Sequence, residues 1–189
     1  MVVIIAKYKE DIEWARNLPD VIVYDKSDTP VIGAIKLENV GRESDTYLRY
    51  IIDNYYNLPE NITFLQGNPF DHTNGCLEYP YTNTMTPFNT HIIEEPIDQY
   101  PGLHMREYFR DIFGINAPDK LKVIYGAQFT VHRDRILSRS IKFYRTLLSM
   151  LNNETDFDLA HYHNKYLSTE INGWIMERLW VYIFLYTQI

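Results

Sequence analysis

One cysteine, Cys76, occurs in the 189 residues. That excludes an intramolecular disulfide and a cysteine-rich zinc knot. No apolar run approaches the roughly 20 residues that a membrane-spanning helix needs, and the final apolar stretch, Leu179 to Ile189, reads as a buried helix end. Lys7 and Lys9 directly follow the apolar residues 1–6 and no cleavage site comes after, so no targeting leader and a cytoplasmic location are expected. Positive charge is scarce: 18 Lys plus Arg face 25 Asp plus Glu, a net of −7. Proteins that ride on nucleic-acid backbone are usually basic, so no nucleic-acid partner is expected. Several catalytic templates are also missing. There is no Walker phosphate loop, no dinucleotide glycine fingerprint, no Gly-x-Ser-x-Gly elbow and no His-Glu-x-x-His. Asp-x-Asp occurs only as Asp156-Phe157-Asp158, in a late polar loop rather than after a central strand.

What is present describes a globular chain. Hydrophobic residues make up 46% and charged residues 23%, enough to bury a core without a metal or disulfide staple. The length predicts a single domain over 1–189. Tyrosine is abundant, at 16 residues. A ring with a polar tip suits half-buried walls and platforms for sugars or bases; a compositional bias explains the same count.

The pattern along the chain predicts an α/β domain with a mainly parallel central sheet flanked by helices. Val2–Tyr8 reads as a buried strand, residues 10–16 as a short helix, Val21–Tyr24 as a second strand and residues 32–37 as a third. Strand, helix, strand in so short a span opens a βαβ unit. Tyr47, Leu48, Ile51, Ile52 and Tyr55 form the apolar stripe of a helix over 44–56. Residues 62–65 read as a central strand, broken at Gln66-Gly67-Asn68-Pro69. Residues 67–101 are irregular, punctuated by Pro69, Pro80, Pro87, Pro96 and Pro101, and are expected to lie over a cleft. Further on, 104–113 reads as a helix, 121–131 as a strand with Gly126 inside it, and 140–151 and 173–186 as helices. Residues 60–120 carry a net of −6 and residues 121–151 a net of +5. That contrast suggests local anion binding, or a solvated helix face balanced by acids elsewhere.

Ligands of open α/β sheets bind beyond the carboxyl ends of the strands. Lys7-Tyr8, Asp25-Lys26 and Gln66 to Asp71 belong there if the strands are parallel. Asp25 suits a hydrogen bond to a base or ribose, Lys7 a phosphate and Tyr8 a ring. Arg42, after Gly41, offers a donor fork for phosphate or carboxylate, while Glu43 or Ser44 could simply cap the helix. Asp71 and His72 could hold a divalent ion or orient a sugar hydroxyl, or merely form a turn. Arg133 and Arg135 could clamp a diphosphate together with Arg139, or sit in surface ion pairs. Glu177 lies between Trp174 and Trp180 on an aromatic helix. A carboxylate there is expensive to bury unless paired or functional, so it is a general-base candidate with a structural alternative.

Long stretches resemble one family: Val40-Gly41-Arg42-Glu43-Ser44 through Leu48, Ile51 to Tyr55, Phe64-Leu65-Gln66-Gly67-Asn68-Pro69-Phe70-Asp71-His72, Gly126 to Val131 with Arg133, Arg135 and Arg139, and Glu177-Arg178-Leu179-Trp180. The sequence is identified as a member of the domain-of-unknown-function family numbered 3431, found in fungi, bacteria and large DNA viruses. That family in turn looks like a compact glycosyltransferase of the A-type nucleotide-sugar fold. The resemblance implies a nucleoside-diphosphate sugar as donor, a glycan or small hydroxyl compound as acceptor, and Mn2+ or Mg2+ as cofactor. It implies that Lys7, Tyr8 and Asp25 match the nucleoside wall, that Arg42 and Gln66 belong to the donor site, and that Asp71 with His72 stands near the metal motif. Arg133 and Arg135 would match a diphosphate clamp. Glu177 would be the acceptor-side carboxylate, with Asp71 sharing the catalytic site. The missing Asp-x-Asp departs from that pattern. The alternatives are a noncatalytic carbohydrate-binding or structural module, and a hydrolase.

Overall fold

Strand β1 (Val2–Lys7) is apolar on both faces: Val2 and Ile4 enter one core, Val3 and Ile5 another, and all four are buried. A strand of that kind needs cover on both sides and neighbours on both edges. It is parallel to β2 (Val21–Asp25) on one edge and to β4 (Asn61–Gln66) on the other. The computed structural model describes residues 1–71, 85–87, 92–152 and 169–185.

The main sheet has the order β3-β2-β1-β4-β8-β5, with β3 at Ile35–Lys36, β5 at Met85–Pro87 and β8 at Phe129–His132. Pairings from β3 through β4 are parallel, and β8 is antiparallel to both β4 and β5. Five strands therefore share one direction and β8 alone opposes them. A separate antiparallel pair joins β6 (Ile93–Pro96) to β7 (Lys120–Val123). The chain is a single α/β domain with a mainly parallel sheet, as the sequence pattern predicts.

Helices α1 (Arg42–Asn54), α2 (Met105–Phe113), α3 (Arg133–Leu137), α4 (Ile141–Asn152) and α5 (Thr169–Leu185) complete it. The larger core joins Ile4, Ile62 and Phe64 of the sheet to Tyr47 and Ile51 of α1, Tyr144 and Leu147 of α4, and Trp180 and Phe184 of α5. Trp180 stacks on Phe184 at 5.5 Å, and Tyr47 meets Phe64 at 4.7 Å. Much of the aromatic content is thus core: Tyr24, Tyr47, Tyr50, Tyr108, Tyr144 and Tyr182 are all buried. On the opposite face Val3, Ile5 and Leu65 pack against Ala15, Ile12, Trp14 and Leu18. No helix among the described residues is long and apolar enough to cross a membrane.

Some sequence expectations need correction. Residues 10–16 hold one 3-10 turn, Glu13–Ala15, rather than an α-helix. The third strand shrinks to two residues. The alternating stretch 121–131 is two strands in two different sheets, β7 and β8, because Gly126 (φ +81°) and Ala127 (φ +48°) turn the chain between them. The span 67–101 contains the short strands β5 and β6. Its placement over a cleft falls largely on residues 72–84 and 88–91, outside the described residues, as does His72. The basic residues of 121–151 are spread over β7, α3, α4 and Arg139 between the two helices.

Candidate functional site

From β1 the chain moves outward to β2 and β3, then returns through α1 to β4 on the other side of β1. The strand order reverses there, and the carboxyl ends of β1 and β4 leave a crevice between their departing loops. A cleft of about 590 Å³ opens at that place. Lys7 and Tyr8 enter it from the end of β1, Gln66 from the end of β4, Asp71 from the following 3-10 turn (Pro69–Asp71), and Arg42 and Glu43 from the start of α1.

Buried charge holds the walls. Lys7 Nζ lies 3.0 Å from Asp25 Oδ2, with both side chains buried. Asp25 also accepts the Ser27 amide at 2.8 Å and the Val31 amide at 3.0 Å. Burial pushes the Asp25 carboxyl up, but hydrogen bonds from Ser27, Val31 and Lys7 outweigh it and hold it at about 2. Asp25 thus stands behind Lys7 as its counter-charge. Lys26 spends its three donors on the Val40 carbonyl (2.5 Å), the Arg42 carbonyl (2.6 Å) and Asp45 Oδ2 (3.0 Å). Burial pulls its ammonium down, opposed by Asp45. Asp45 Oδ1 meanwhile accepts Arg49 Nε at 2.9 Å and Asn152 Nδ2 at 2.6 Å. This network ties the end of β2 to the first turn of α1 and the end of α4.

Residues of unusual backbone shape begin α1. Gly41 (φ +62°) precedes Arg42 (φ +54°), and the glycine at the N-cap offers no side chain to the first turn. The Glu43 carboxylate accepts a hydrogen bond from its own backbone amide, one form of the capping role that the sequence leaves open to Glu43 or Ser44. A Cβ on Gly41 would lie 2.8 Å from Asn152 Oδ1 and 2.9 Å from Leu151 Cγ. Gly41→Ala is expected to destabilise the fold by about 2 kcal/mol, from a left-handed backbone that alanine resists and a contact that must open. Denaturant unfolding measures it.

The sequence marks Glu43 only as a first-turn acid or cap, and the structure also sets it in the wall of the cleft. Its side chain is 9% exposed. Burial raises its carboxyl to about 7, with the Glu177 charge adding to the rise and Arg42 and Lys26 opposing it. A carboxyl titrating near neutrality in a cleft is a candidate acid or base. Nothing in the local sequence distinguishes it from an ordinary first-turn glutamate.

The β4 turn is held from below. Buried Gln128 donates to the Pro69 carbonyl at 3.0 Å and accepts the Gln66 amide at 3.4 Å. Trp14 Nε1 donates to the Gly67 carbonyl at 2.9 Å. Glu10 packs over Gly67 so closely that a Cβ there would meet its carboxylate, while that carboxylate accepts the Tyr8 amide at 2.7 Å.

Of the residues singled out in the sequence, Lys7, Tyr8, Arg42, Gln66 and Asp71 line one cleft and Asp25 backs it. Arg133 and Arg135 do not join them. β8 runs antiparallel to β4, so His132 at its end pairs with Asn61 at the start of β4. The two arginines follow it in α3, at the edge opposite the cleft. Arg139 donates weakly to the carbonyls of Tyr182 and Ile183, at 3.4 and 3.5 Å, near the end of α5. Glu177 does not line the cleft; its Oε1 accepts the Gly126 amide, and it lies near enough to Glu43 to act on its titration. Among the described residues, no three His, Cys, Asp or Glu side chains gather as a metal site.

The fold and cleft define an α/β protein with a polar crevice at the switch point of a mainly parallel sheet. A model of the family described as Protein of unknown function (DUF3431) matches residues 2–104 and 72–189, and the chain belongs to that family. Neither the curated proteins nor the solved structures contain a match to it.

Proposed function

We propose that this protein transfers a sugar from a nucleoside-diphosphate sugar to an acceptor hydroxyl. One observation carries the reading: the switch-point cleft sets two cationic side chains, Lys7 and Arg42, beside a cleft-lining carboxyl, Glu43, raised to about 7. Its volume falls in the range of small-ligand sites, roughly 300–1,000 Å³. Tyr8 offers a ring for the base, and Lys7 and Arg42 face the diphosphate.

Asp71 is exposed and has no ion pair among the described residues. A free carboxylate beside a diphosphate is repulsive unless a cation lies between them, and Mg2+-type ions are commonly held by one or two carboxylates together with substrate phosphates. Asp71 would hold Mn2+ or Mg2+ in that way, and a bound ion would offset charge on the departing diphosphate.

The chemistry is a single displacement. Glu43, as carboxylate, takes the proton of the acceptor hydroxyl. The acceptor oxygen forms its bond to the anomeric carbon as the bond from that carbon to the phosphate oxygen breaks, and the electron pair leaves with the nucleoside diphosphate. Arg42 and Lys7 stabilise the charge that develops on it. Glu43 thereby takes the base role that sequence resemblance implies for Glu177.

Calorimetric titration with UDP, UDP-glucose, UDP-N-acetylglucosamine and GDP-mannose, with and without Mn2+, tests this reading. A nucleotide should bind, and Arg42→Ala should weaken it by about tenfold, the loss of one charge-assisted contact. Binding of free glycans with no nucleotide binding under either condition would replace the transferase with a noncatalytic carbohydrate module.

A further inference from the structure

Helix α5 is buried almost all round. Between Asn172 and Phe184 only Trp174 is exposed, at 45%, and only Glu177 is partly open. The two are three residues apart and share a helix face. That face meets the start of α1. A Cβ on Gly173 would lie 2.8 Å from Arg42 Cδ, so the missing side chain is what lets Arg42 lie against α5. The Arg42 guanidinium carbon stands 6.0 Å from the centre of the Trp174 ring. Arg42 and Glu43 line the cleft. An exposed indole therefore borders the cleft across Arg42, on the side of the proposed base.

The surroundings select the kind of molecule that fits. Among the described residues, charge flanks this face, with Arg42 over the ring and Glu177 one turn along the helix. A pyranose matches this. Its C–H face carries partial positive charge toward the negative face of the indole, and its rim of hydroxyls can bond to a guanidinium and a carboxylate. The donor's phosphates are assigned to Lys7 and Arg42 inside the cleft, which leaves this border to the second substrate.

We propose that Trp174 is the acceptor platform: the acceptor is a glycan whose terminal pyranose ring stacks on Trp174 and turns a hydroxyl toward Glu43. This rests on the transferase reading, which names an acceptor only as a hydroxyl compound.

The probes are cellobiose, lactose, chitobiose and the methyl glycosides of their sugars. With the donor found by calorimetry, Trp174→Ala should raise the acceptor KM by about tenfold or more, with kcat and nucleotide Kd each kept within about threefold. Trp174→Phe, which keeps a ring, should recover most of the loss. An unchanged acceptor KM overturns the proposal. So does a matching loss of nucleotide affinity, which would make Trp174 only a prop for Arg42. A second readout works without turnover. Of the three tryptophans, Trp180 is buried and Trp14 partly so, which makes Trp174 the one most open to acrylamide quenching. The same disaccharides should protect wild-type fluorescence and do nothing in Trp174→Phe; absence of protection in wild type overturns the platform. Failure of every nucleotide to bind, with protection intact, removes the transferase reading but leaves Trp174 as a sugar-binding surface.

Discussion

Glu43→Gln is expected to slow sugar transfer by about 10²- to 10⁴-fold, the span of general-base contributions, while nucleotide affinity stays nearly unchanged. Glutamine keeps the shape of the side chain and cannot accept the acceptor's proton. The same substitution should make the protein more stable above neutral pH. The carboxyl rises from 4.5 in its ordinary state to about 7 in the fold, chiefly through burial. Between those values the folded chain holds a proton that the unfolded chain has released. Stability therefore falls as the pH rises through that window, and the full penalty stands above pH 7. It amounts to about 3 kcal/mol. Urea unfolding at pH 5 and pH 8 should show the variant equal to wild type at the lower pH and more stable at the higher. Glu177→Gln is the companion. It retains an oxygen for the Gly126 amide, so turnover should stay within about tenfold of wild type. If Glu177→Gln abolishes turnover and Glu43→Gln does not, the two roles are reversed.

Asp25→Ala should destabilise the fold by about 3–5 kcal/mol, because the Lys7 ammonium would remain buried with no counter-charge. The sign with pH is opposite to that of Glu43. The Asp25 carboxyl lies at about 2, below its ordinary 3.8. Its contribution is fully present above pH 4 and is lost as the pH falls toward 2. The variant should lose that acid-limb dependence. Lys7→Met combined with Asp25→Leu should regain the part of the loss that comes from the unpaired ammonium and keep the part that comes from the Ser27 and Val31 amides, which still lack their acceptor. A double variant no more stable than Asp25→Ala would show that the pair does more than neutralise itself.

The opening of the fold was readable because β1 is apolar on both faces, a pattern that only an interior strand with two covers satisfies. Helices α1 and α4 were readable from their spacing, and α1 begins at Arg42, two residues before the expected Ser44. The reading failed where a period of two runs across a turn: Leu121, Val123, Phe129 and Val131 are all buried, yet they serve two sheets. The convergence of Lys7, Tyr8, Gln66 and Asp71 followed from strands of one direction ending at one edge. Arg133 and Arg135 were grouped with them because residues after a strand look the same whichever way that strand points.

By itself, then, the order of residues determined the two opening strands, the apolar helix faces, the family and the polar character of the strand ends, since each depends on spacing within a few residues. Tertiary structure decided the rest. It set β8 against β4 and so carried two arginines away from the cleft. It also folded α5 onto α1, burying Glu43 beside Glu177 and leaving Trp174 open at the border. Direction, burial and proximity across more than a hundred residues arise from packing, and no local pattern records them.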